Sequence, residues 1–158
     1  MFVFSIKKKQ VKLGLIVAII AIMVVVLAFL SKGSISASGT ASVNVKASTA
    51  QERIAYLSQF GWNVKEDPLE VTEVIIPAEF DDVYTKYNEI QKLQGFDLTL
   101  YASKRVKRWT YEVTNYTGYE NANCIRVNML VSDGKVIGGD VCSVKLDGFM
   151  HGFAMPQV

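Results

Sequence analysis

Histidine is all but missing from this chain. There is one, His151, with two cysteines, Cys124 and Cys142, and three prolines among 158 residues. One imidazole and two thiols exclude the repeated ligand spacings of zinc sites, and no HxxE, CxxC or calcium-loop pattern occurs. No cofactor is expected. Charge is missing over a long stretch: Leu13 to Leu30 runs eighteen residues without an ionisable side chain. At about 1.5 Å of rise per residue, that run just crosses a hydrocarbon core of about 30 Å. Acidic residues are also absent from this region, all fifteen lying beyond Leu30 with thirteen of the seventeen basic ones, so the rest of the chain carries −2. The basic balance of the whole chain therefore belongs to the membrane flank, and nucleic acid is not an expected partner.

What is present sets out an organisation. Lys7, Lys8, Lys9 and Lys12 precede the apolar run and only Lys32 follows closely, which puts residues 1–10 in the cytoplasm and the rest outside. Residues 11–30 read as an uncleaved signal-anchor in the cell membrane. The rival is a cleaved signal peptide ending near Ala37, but the apolar run exceeds the ~7–15 residues usual for such a segment. Residues 31–48, rich in Ser, Gly, Ala and Thr, read as a flexible stalk. Residues 49–158 form the extracytoplasmic domain.

In that domain, Thr49 and Glu52 fit a capping box, with Ile54, Leu57 and Phe60 on one helix face and Gly61 as its stop. "EVTEVIIP" reads as a strand closed by Pro77. Phe80, Val83, Tyr84, Tyr87 and Ile90 form the apolar stripe of a second helix. Glu79, Asp81 and Asp82 lie in its first turn, Lys92 in its last, and Gly95 stops it. Then the period changes to two through "RWTYEVTNY", "CIRVNMLV" and "KVIGGDVCSV". The expected fold is α+β: a two-layer sandwich of about two helices on a mainly antiparallel sheet of about five strands.

A three-residue loop at Ser132-Asp133-Gly134 would set Met129 against Ile137 and Arg126 against Asp140 as a cross-strand ion pair. It would also place Cys124 opposite Cys142, within disulfide reach in a non-reducing compartment, the alternative being two small buried thiols. Asn115-Tyr116-Thr117 matches a glycosylation acceptor, a three-residue pattern read as chance.

"YNEIQKLQGFDLTLY", "YEVTNY" and "VIGGDVCS…LDGFMHG" together resemble an uncharacterised family of membrane-anchored proteins from Gram-positive, largely endospore-forming bacteria. The similarity spans about Gln51 to Phe153. The resemblance implies an extracytoplasmic anchor and a single α+β domain, and it carries no catalytic residues.

The function expected first is binding or scaffolding at the cell envelope, of an anionic component or a membrane-protein partner. Arg105, Lys107 and Trp109 share one strand face and, with Asp147 and His151 of the C-terminal segment, form the expected recognition surface. A different class is an envelope hydrolase using Asp140, Asp147 and His151. A third is a sensory input domain acting through a partner protein, since only about ten residues precede the apolar run.

Overall fold

The computed structural model describes residues 43–120 and 122–157. The apolar run at 11–30 and most of the stalk fall outside the described residues. Among those described, no helix is long and apolar enough to cross a membrane.

Helix α1 spans Ala50–Ser58 and starts as its sequence dictates. The Thr49 hydroxyl accepts from the Glu52 N–H, and the Glu52 carboxylate accepts from the Thr49 N–H, a complete capping box. Gly61, at φ +87°, follows its end. Its buried face is not the Ile54–Leu57–Phe60 stripe but Arg53, Tyr56 and Leu57. Helix α2 spans Asp82–Leu93, with the Asp81 carboxylate accepting from the Tyr84 N–H at 2.7 Å. Its stripe is also rotated: Val83 is 75% exposed, while Asn88 and Gln91 are buried beside half-buried Tyr84 and Tyr87. The reason is that the two amides serve backbone. Asn88 Oδ1 accepts from the Leu98 N–H at 2.8 Å, and Gln91 Oε1 accepts from the Gly139 N–H at 2.7 Å. An apolar count along the helix cannot anticipate that.

Five strands follow a simple meander in space, β1 Glu70–Ile75, β2 Arg105–Glu112, β3 Ile125–Ser132, β4 Lys135–Ser143 and β5 Met150–His151, with every neighbouring pair antiparallel. The helices do not share a layer. Tyr56 and Leu57 of α1 join a core with Tyr111, Val127, Met129 and Val141, whereas Tyr84 and Tyr87 of α2 pack against Val106, Leu130 and Ile137. Alternation along the strands makes these opposite faces. The α+β class and the five antiparallel strands stand; the two-layer arrangement becomes helix, sheet, helix.

The β3–β4 turn corrects the expected register. Asp133 and Gly134, at φ +49° and +71°, form a two-residue turn of the type that suits hairpin twist, pairing Ser132 with Lys135. Ile137 then bulges out, and Asn128 pairs with Asp140, Val127 with Val141 and Arg126 with Cys142. The expected Arg126–Asp140 ion pair is therefore absent, and Arg126 Nη1 donates to the Ile125 carbonyl instead. Both cysteines are free: the Cys124 carbonyl accepts from Val144, and Cys142 faces the other side of the sheet near Asn128. The two-residue turn and the bulge together shift the register by two places, which moves Cys142 away from Cys124.

The bulge is followed by Gly139, at φ +156°. A Cβ there would run into the Asn128 carbonyl oxygen and the ring of Phe153. Gly139→Ala should therefore destabilise the domain by about 1–3 kcal/mol, the usual cost of overpacking. Urea unfolding measures it, and an unchanged midpoint would show that β4 is looser than this packing implies.

Residues 146–153 form a latch. β5 pairs with Val141 and Cys142, and the chain then buries Phe153 to 1% exposure. Its ring stands edge-on to Tyr56 at 5.1 Å. Its carbonyl accepts from Trp62 Nε1 at 2.6 Å, and its N–H donates to Gln94 Oε1 at 2.6 Å.

Candidate anion-binding site

The strand register places Arg105, Lys107 and Trp109 on the α1 face of β2, as their alternation requires. They line a basin of about 440 Å³ whose other walls include Arg53 from α1, Glu73 from β1 and the Ser132–Gly134 turn. Glu73 lies opposite Lys107 in register, but its carboxylate reaches diagonally to Arg105 at 3.2 Å. Lys107 is left without a carboxylate within 4.0 Å among the described residues.

Arg53 is the residue that sequence reasoning missed. It is 5% exposed and stacks on Trp109, its Cζ 3.4 Å from the ring centroid. Nε donates to the Tyr111 hydroxyl at 2.9 Å, and Nη1 donates to the carbonyls of Ala47 and Ser48, both at 3.1 Å. None of these partners is a carboxylate. Nη2 makes no hydrogen bond among the described residues and is not sealed from solvent. The basin thus holds a pre-oriented guanidinium edge with spare donors, an unpaired ammonium and an aromatic wall. Asp133 on the turn is its other acid. An arginine mid-helix reads as surface in a sequence. Only its spacing with Tyr56 and Leu57, at i+3 and i+4, hinted at burial.

The other expected site residues are not brought to this basin. Asp147 is an exposed turn residue at φ +61°, between β4 and β5 and so at the far end of β4 from the Asp133-Gly134 turn. Nine residues of strand, about 30 Å, separate those ends. His151 lies in an aromatic stack, 5.7 Å from Phe149 and 6.3 Å from Trp62 by ring centroid. A carbonyl can only accept, so Nδ1, 2.7 Å from the Gly152 oxygen, carries the hydrogen, and Nε2 lies within hydrogen-bond distance of the Tyr116 hydroxyl at 3.1 Å. Asn115 is held by its own amide, which donates to the Gly61 carbonyl and accepts from the Asn63 N–H.

Asp140 faces α2, on the opposite side of the sheet from His151, whose register partner is Val141. The hydrolase constellation of Asp140, Asp147 and His151 is therefore not assembled, nor is any pairing of Cys142 with His151. Asp140 is 3% exposed and accepts from the Tyr87 hydroxyl and from Asn128 Nδ2, both at 2.9 Å. Burial pushes its carboxyl above the ordinary range, against the pull of Asn128, Tyr87, Cys142 and Arg108. Burial also raises the neighbouring Cys142 thiol to about 11, with the Asp140 charge adding to it, so the thiol is unreactive at neutral pH.

A carboxyl raised on folding contributes stability that is complete below its unfolded value, about 4, and is lost as pH rises through its folded one. Asp140→Asn should flatten this decline. Thermal midpoints across pH 4 to 8 test it, and an identical profile in the variant would refute the assignment.

Among the described residues no group of three or more His, Cys, Asp or Glu could hold a metal. Fold and basin together define a small α+β domain carrying a basic, aromatic-walled recess. The family profile described as domain of unknown function DUF4830 matches residues 56–141, more than half of the chain, and the chain belongs to that family. No curated protein and no solved structure matches it.

Proposed function

We propose that the protein is a single-pass envelope protein, anchored through residues 11–30, whose extracytoplasmic domain binds an anionic component of the cell envelope in the Arg53–Lys107–Trp109 basin. The observation that carries this reading is Arg53, buried with a free guanidinium edge and no carboxylate partner. A structural arginine tends to be paired when buried, because an unpaired charge costs several kcal/mol. Here Trp109, Tyr111 and two carbonyls support the cation and leave one edge for an exogenous anion. The anchor rests on the uncharged run and its lysine flank, and the resemblance noted above supports the reading of a Gram-positive envelope.

Titration with soluble poly(glycerol phosphate), followed by Trp109 emission, tests the site. Lys107→Ala should weaken binding about fivefold, from about 1 kcal/mol per surface charge, and added salt should weaken it further. Binding that ignores both would refute the basin as the site.

A further inference from the structure

The basin lies at one end of the sheet, and the chain enters the domain at that same end. The Val45 carbonyl accepts from the Val136 N–H and the Ala47 N–H donates to the Gly134 carbonyl, both at 2.8 Å, pairing Lys46 with Lys135. Arg105 and Lys107 on the α1 face and Lys46 and Lys135, by alternation from Val136, on the other face therefore meet at this end of the sheet, against the acids Glu52, Glu73 and Asp133. Beside them the outer strand is uncovered. Val71 and Ile75, on the same face as their register partners Trp109 and Arg105, are 47% and 61% exposed. Cations interleaved with exposed aliphatic side chains suit a surface that is anionic outside and apolar just beneath.

We infer that this end of the sheet docks on the anionic headgroup layer of the membrane that holds residues 11–30, so that the basin's anion is a lipid phosphate. The inference rests on the anchor and the basin proposed above. Chain length supports it. Twelve residues separate Leu30 from Val43, and a chain of that length reaches about 40 Å at most. The point of entry into the domain is thus never far from the bilayer, and it is the point at which the cations cluster. A soluble polymer would have to compete with headgroups held at this short range.

The test uses the full chain, reconstituted into vesicles of phosphatidylcholine alone or with about a third phosphatidylglycerol, each with a headgroup-level spin-label quencher. Trp62, at 1% exposure, is shielded, so quenching reports on Trp109. Several-fold stronger quenching in the anionic vesicles is expected, abolished by high salt and by the exposed double change Arg105→Glu, Lys107→Glu. Equal quenching in both compositions, or an unaffected double variant, overturns docking. If the anchored chain is unquenched while poly(glycerol phosphate) still shifts Trp109 emission, the basin binds anions but not lipid, and only this inference falls. A chain that alkaline washing removes from the vesicles refutes the anchor and the docking together.

Discussion

Phe153→Ala is expected to destabilise the domain by about 3–5 kcal/mol, the range for emptying a large aromatic site in a packed core. The ring is 1% exposed, it contacts Tyr56 and Phe60, and it fills the space left where Gly139 has no side chain. Little can move in to replace it, because the opposing wall is β4 backbone. Guanidinium unfolding of the variant checks the value. A loss below about 1 kcal/mol, within the range of ordinary surface changes, would mean that residues 146–153 lie on the core without being part of it.

The second large effect is expected at Arg53. Arg53→Met keeps the length of the side chain but removes every donor. The Tyr111 hydroxyl and the carbonyls of Ala47 and Ser48 then lose their partner, and Trp109 loses its stacked cation. Unsatisfied buried groups cost about 1–3 kcal/mol each, so a total of about 3–5 kcal/mol is expected after partial rehydration at exposed Ser48. The variant should also speed hydrogen exchange at the Ala47 and Val136 amides, which the entering segment protects. Exchange at wild-type rates would place the role of Arg53 in the basin alone. Arg53→Lys keeps the charge without the planar fork, and most of the loss should persist.

These two residues show what could be read from the sequence and what could not. Local signals were partly legible: the Thr49–Glu52 box needs only residues within one turn, and α1 starts where it stands, whereas α2 starts later than expected, so that Glu79 precedes it and Asp81 is its cap rather than a first-turn acid. Strand alternation likewise placed Arg105, Lys107 and Trp109 on one face. Long-range choices were not legible. Three glycines in "DGKVIGG" give β4 freedom to bulge, and one extra residue at Ile137 changes every later pairing. Cys124, Cys142, Arg126 and Asp140 were all misassigned because the tighter turn and the bulge each move the pairing by one place. Apolar counting also hid the inward positions of Arg53, Asn88 and Gln91, whose burial depends on backbone partners 5 to 48 residues away.

The pairing of Val45–Ala47 beside β4 also decides how the domain bears load. Tension along the entering chain falls first on the two hydrogen bonds between the Asn44 backbone and the Gln59 side chain, next on two backbone hydrogen bonds beside the Asp133-Gly134 turn, and then on the Arg53 fork holding the Ala47 and Ser48 carbonyls. Helix α1 follows directly, so a pull that opens this clasp reaches Tyr56 and Leu57 before it reaches the central strands. The N-terminal segment is thus the domain's mechanical fuse, set to yield while the β2–β3–β4 sheet is still intact.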